Sequence, residues 1–159
     1  MTLWSLLGAC LLAACTSGAQ AAEKRHDAAQ VAAESWLKVI DEGKYAMSWA
    51  QAARLFRDNL SRSQWQQMVN RMRAPLGVFV SRKLKSREYA EGKMRGAPDG
   101  QYVVLKYETV FRGKPAAIEL VVSMVDIDGA WRVSAYGSRS ADAEADCRKG
   151  LAKTQDCSP

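Results

Sequence analysis

Around Val78 the spacing of apolar residues changes from a helical to a strand period, and that change limits what this chain can fold into. Upstream, Ala29, Ala32, Ala33, Trp36, Leu37 and Ile40 recur at the i, i+3, i+4, i+7 spacing of one helical face, and Glu42-Gly43 marks its stop. A second helix is expected over 45–59, with Tyr45, Trp49, Ala52, Ala53 and Phe56 on its stripe. Ser61 and Gln64 have the spacing of a capping box and open a third helix that carries Trp65, Met68, Val69 and Met72. Pro75 and Gly77 close the helical half. Downstream, alternation and β-branched residues predict strands at about 78–89, 101–112, 116–126 and 130–136. The turn signals between them, Pro98-Asp99-Gly100, Gly113-Lys114-Pro115 and Asp128-Gly129, are short and make the strands antiparallel neighbours. The expected fold class is α+β, with about three N-terminal helices packed on a curved four-stranded antiparallel sheet. Trp36, Trp49, Trp65 and Trp131 fall on apolar stripes or strand faces and are expected in the core.

The N-terminal segment points to export. Residues 3–14 are apolar and uncharged, long enough for a signal-peptide core but too short to cross ~30 Å of hydrocarbon. Leu12-Ala13-Ala14-Cys15 resembles the lipobox of bacterial lipoproteins, which implies cleavage before Cys15 and a lipid on its sulfur. The competing reading is ordinary cleavage after Ala19-Gln20-Ala21. The first places the chain at the cell envelope, lipid-anchored and facing the periplasm, with Thr16 suiting the outer membrane; the second leaves it soluble in the periplasm or secreted. The expected organisation is signal peptide 1–15, tether 16–26, one domain 27–137 and a tail 138–159. In an exported chain, Cys147 and Cys157 read as a disulfide that pins the tail, worth on the order of 2–3 kcal/mol. Two cysteines with no nearby His do not make a metal site, and no metal or cofactor is expected.

One resemblance covers about 28–136. Trp36-Leu37, Asp41-x-Gly43-Lys44-Tyr45, Ser48-Trp49, Ala74-Pro75-Leu76-Gly77, Ser81-Arg82-Lys83-Leu84, Gly96-Ala97-Pro98-Asp99-Gly100-x-Tyr102-Val103-Val104 and Asp128-Gly129-x-Trp131-Arg132-Val133-Ser134 resemble the bacterial domain-of-unknown-function 4019 family. The resemblance implies export and a helices-then-sheet arrangement similar to a cystatin-like roll. It brings no catalytic residues with it.

The residues themselves offer little catalytic chemistry. The one histidine, His26, falls in the expected tether, where no base can be preorganised. Nucleophile-elbow, zinc-protease, dinucleotide and P-loop motifs are absent, and Asp126-Ile127-Asp128-Gly129 reads as a hairpin turn rather than a calcium loop. Arg82 is expected to face inward with Val78, Val80 and Leu84, and to need Glu108 or Glu119 as partner. Those three form either a structural ion pair or a candidate pocket for an anionic or zwitterionic molecule. Residues 54–95 carry a net charge of +8 against +6 for the whole chain, leaving the remainder at −2. Lys83, Lys85 and Arg87 are expected to share one strand face, suited to anionic lipid, lipopolysaccharide or an acidic envelope protein, or else to be a solvated face that protects a sheet edge. No nucleic-acid recognition motif is present. The expected function is a non-enzymatic envelope lipoprotein that binds a partner. The alternatives are a small-molecule-binding roll with weak enzymatic capability and a structural accessory of an envelope assembly.

Overall fold

In the computed structural model, which describes residues 16–93, 97–113 and 116–150, the helical half forms α1 (Thr16–Asp41), α2 (Tyr45–Gln51), α3 (Arg54–Asn59) and α4 (Arg62–Arg73). A 3₁₀ turn, Ala74–Leu76, leads to the strands β1 (Phe79–Lys93), β2 (Asp99–Phe111), β3 (Ala117–Val125) and β4 (Trp131–Ser140), and α5 (Ala141–Arg148) ends the described chain. The strands form one antiparallel sheet in the order β1-β2-β3-β4, and the chain is α+β as its hydrophobic periods require.

Two helical segments differ from expectation. Residues 16–26, read from sequence as a tether, are the first turns of α1, in keeping with their good helix formers Ala, Gln, Glu and Lys. The single helix expected over 45–59 is two, because Ala52 and Ala53 are extended. The break lets the Ala53 N–H donate to the Val133 carbonyl on the edge of β4 (2.8 Å) and the Arg54 N–H to the Asp126 carboxylate (3.0 Å). Helix α4 begins at the predicted capping box: Ser61 Oγ accepts from the Gln64 N–H, and the Gln64 side chain accepts from the Ser61 N–H.

The core lies between the helices and the inner face of the sheet, where Val103, Leu105 and Tyr107 of β2, Val121 of β3 and Val133 and Tyr136 of β4 meet Trp36, Leu37 and Ile40 of α1. Four aromatic rings join three helices to the sheet. Trp65 lies edge-on to Phe56 (5.0 Å between centroids) and to Tyr136 (6.1 Å), and Trp36 touches Trp65 and Tyr136 at 5.7 and 5.5 Å. Trp49 and Trp131 pack at the margin of this core, whereas Met68 is 39% exposed and lies outside it. Buried indole N–H groups need acceptors, and Ser48 supplies both: its carbonyl accepts from Trp36 Nε1 (2.7 Å) and its hydroxyl from Trp65 Nε1 (2.9 Å).

Two register shifts in β1, between Phe79 and Ser81 and between Leu84 and Ser86, set which side chains reach the core. Phe79, Arg82, Leu84, Arg87 and Tyr89 lie opposite inward residues of β2, whereas Ser81, Lys83, Ser86 and Glu88 lie opposite outward ones. Val78 and Val80, expected inside with Arg82, are 59% and 55% exposed, because Val78 precedes the strand and Val80 is the extra residue of the first bulge.

Replacing Ser48 with Ala removes the only acceptor, among the described residues, of the buried Trp65 N–H. Urea unfolding of Ser48→Ala is expected to show a lower midpoint at an unchanged m-value, corresponding to a loss of about 1–3 kcal/mol.

Candidate functional site

Asp41 is the last residue of α1, where the helix dipole disfavours a negative charge. The structure answers it with two guanidinium groups. Arg73, in the last turn of α4, donates Nη2 to Asp41 Oδ1 at 2.5 Å, and Arg82 of β1 donates Nη1 to Oδ2 at 2.8 Å. The same two arginines hold Glu119 of β3: Arg73 Nη1 donates to Oε1 and Arg82 Nη2 pairs with Oε2, both at 2.6 Å. The result is a closed, neutral ring in which cations and anions alternate.

Neighbouring strands complete it. Thr109 of β2 donates its hydroxyl to Glu119 Oε2, and Tyr136 of β4 donates to Oε1, each at 2.5 Å. Phe111 and Phe79 lie under the Arg73 and Arg82 guanidinium groups at 4.7 Å. Glu119 is 0% and Arg73 5% exposed, and the side chains of Asp41 and Arg82 are 11% exposed, so the ring is largely taken out of water and its ions depend on one another. Burial works against the charge of Arg73, but Tyr136, Glu119 and Asp41 reverse that and raise its pKa; for Arg82 the opposition of burial is overcome by Asp41 and Glu119. Burial first and the Glu119 charge second push the Tyr136 phenol well above its ordinary value.

Beside the ring a groove of about 620 Å³ opens between the end of α1 and the start of β1, walled by Lys38, Asp41, Glu42, Tyr45, Arg73 and Phe79. Two glycines shape its rim. Gly43 at φ +72° turns the chain off α1, with its N–H donating to the Ile40 carbonyl, and Gly77 at φ +84° turns it from the 3₁₀ helix into β1. The inner side of the sheet is packed by α1 and the aromatic core, and Arg82 is held there by Glu119 and Asp41.

Of the three expected pocket residues, Arg82 and Glu119 meet and Glu108 does not. Glu108 lies opposite Lys83 on the outer face and pairs with Lys85 at 3.2 Å, because its position in β2 has the opposite parity to Thr109. The expected basic stripe is also divided. Lys83 and Lys85 lie on the outer side, but the bulge at Leu84–Ser86 turns Arg87 to the inner side, where it pairs with Glu23 and Asp27 of α1. His26 is not on a loose linker but stands on α1, its ring 5.5 Å from that of Tyr89. Cys147 lies on α5, with Arg139 Nη1 3.4 Å from its sulfur; Cys15 and Cys157 lie outside the described residues. Asp41, Arg73, Thr109 and Tyr136 were not singled out by sequence. The usable signal was Asp41 itself, an acid at a helix C-terminus, which asks for a cation.

A family model described as "Protein of unknown function (DUF4019)" matches residues 32–136, a span that contains the whole ionic ring but neither the first turns of α1 nor α5. No curated protein and no solved structure matches the chain.

Two outcomes test the ring. Glu119→Gln leaves two buried guanidinium groups sharing one carboxylate and is expected to cost about 3–5 kcal/mol by chemical denaturation, whereas Glu108→Gln, which breaks an exposed pair, is expected to cost about 0–1 kcal/mol. The raised pKa of Tyr136 means that the folded chain keeps a proton which the unfolded chain releases near pH 10, so this stability is present below about pH 10 and is lost as pH rises above it. Tyr136→Phe is therefore expected to be less stable at pH 7, by about 1.5–3 kcal/mol for the lost bond to a carboxylate, yet to lose stability less steeply above pH 10.

Proposed function

We propose that this chain, which belongs to the DUF4019 family, is a non-catalytic binding domain of the bacterial envelope, held there by a lipid on Cys15 and recognising a small zwitterionic molecule in the groove beside the ionic ring. The observation that carries this reading is the pairing inside the ring. Asp41 and Glu119 are each bonded by both arginines, so neither carboxylate is left to act as a base, and the ring adds no net charge to the groove. The groove walls offer the ammonium of Lys38, the rings of Tyr45 and Phe79 and the carboxylate of Glu42, the last in an exposed pair with Lys44 that a ligand ammonium can share, a mixture that suits a ligand carrying both charges. The volume of the groove is that of a small-molecule site. An anionic partner on a basic strand has less support, since Arg87 is turned inward and Lys85 already has Glu108. The Cys147–Cys157 disulfide belongs to the same exported reading.

The anchor is tested by palmitate labelling in cells: incorporation is expected in the wild-type chain and not in Cys15→Ala, and labelling that persists in the variant overturns it. The groove is tested by amide chemical-shift mapping with zwitterionic, anionic and cationic small molecules. Zwitterions are expected to move the amides of Lys38, Tyr45 and Val78 and to lose that effect in Lys38→Glu. Shifts confined to Lys83 and Lys85, and caused by anions alone, overturn the groove in favour of the basic face.

A further inference from the structure

We infer that α1 is a rigid strut which stands the domain end-on to a phospholipid bilayer and holds the groove at the far end; this rests on the Cys15 anchor proposed above. Helix α1 runs without a break from Thr16, the residue after Cys15, to Asp41 in the groove wall. At 1.5 Å per residue its 26 residues span about 39 Å. A flexible segment the length of 16–26 would let the domain tumble within about 20 Å of its anchor; a helix transmits one direction instead.

A strut must also be fixed to the body it carries, and α1 is fixed well before its apolar stripe begins. Arg87 of β1 donates to Asp27 (2.8 Å) and Gln30 (3.2 Å) and pairs with Glu23 one turn earlier. The Tyr89 ring receives His26 at 5.5 Å and the Arg25 guanidinium at 5.6 Å. From β3, the Ser123 hydroxyl donates to the Ala29 carbonyl at 3.0 Å. These contacts reach the helix from two strands and oppose rotation about its axis.

The same contacts show which end of the molecule faces the anchor. Asp41 meets Arg82 near the start of β1, while Glu23 and Asp27 meet Arg87 further along it, so α1 runs antiparallel to β1. The head of α1 therefore points to the end of the sheet where β1 gives way to β2. Tyr102 near the start of β2 pairs with Met124 near the end of β3, which puts the β3–β4 turn at that end as well. On this turn stands Ile127, 80% exposed and the most exposed of the large apolar side chains among the described residues. The turn is not loose: the Ile127 N–H donates to Asp126 Oδ1 (2.9 Å), and Arg132 grips Asp128 through two bonds of 2.5 and 2.7 Å. A firmly held isoleucine at the anchored end has a bilayer interface to enter; the groove lies at the opposite end of α1.

The test uses the full acylated chain in vesicles of phosphatidylethanolamine and phosphatidylglycerol, carrying a photoreactive benzoyl-phenylalanine either at position 127 or at position 78 in the groove wall. Intact mass first reports whether Cys15 bears lipid. After irradiation, phospholipid adducts are expected at least tenfold more often from position 127 than from position 78. In Gln20→Pro, which interrupts α1 ahead of the Arg87 clamp, the ratio is expected to fall towards one. Equal adduct yields on an acylated, otherwise wild-type chain overturn the orientation while leaving the anchor standing, and a ratio unchanged by Gln20→Pro overturns the strut. A mature chain without lipid on Cys15 overturns the anchor and this inference with it.

Discussion

The ring of Arg73, Asp41, Arg82 and Glu119 is the interaction on which the rest of the structure depends, because it is where every layer of the fold is tied. It joins the ends of α1 and α4 to β1 and β3, and Thr109 and Tyr136 extend it to β2 and β4. Four largely desolvated ions, two of them buried, are costly, and a single pair in this position would leave half of each partner's hydrogen-bonding capacity unmet. Closure into a ring lets each carboxylate meet two cations and each guanidinium two anions. The arrangement is neutral within itself, and Asp41 and Arg73 bring it to one wall of the groove.

Charge on the outside follows register more than composition. The surplus of basic residues between Arg54 and Arg95 is real, but Arg73 and Arg82 are spent in the ring and Arg87 on α1. What remains on the outer side of β1 is Lys83 and Lys85, on an edge strand interrupted by two bulges. Such lysines and bulges blunt an edge that would otherwise pair with another chain. The alternation that put Lys83, Lys85 and Arg87 on one face assumed an unbroken strand. One inserted residue was enough to reverse it, and no local spacing announces a bulge that exists because a second strand needs its register.

Helix α1 shows the same division within one element. The stripe from Ala29 to Ile40 was legible because a 3.6 period needs only neighbouring residues to be seen. The turns before it have no apolar stripe, and in isolation they read as a small-residue spacer. They are helical here because good helix formers meet partners from a strand distant in sequence, Arg87 and Tyr89 of β1, and a helix end without an apolar stripe needs such tertiary contacts. The break at Ala52–Ala53 is the converse: a helix-favouring stretch is interrupted so that one backbone N–H can pair with the edge of β4.

By itself the sequence determined the α+β class, the order of helices before strands, the Ser61 cap, the antiparallel turns and the tryptophans that fill the core, since each is written in the spacing of residues close in the chain. It also identified Arg82 as an inward charge in need of a carboxylate, and named Glu119 among the possible partners. Only the tertiary structure chose Glu119 over Glu108, brought Asp41 and Arg73 to the same place, turned Arg87 to α1 and opened the groove at the ring. The physical reason is one of range. Helical period, capping and turn chemistry act over a few residues, whereas the desolvation that forces buried charges together acts between residues that the chain brings into contact only when it is folded.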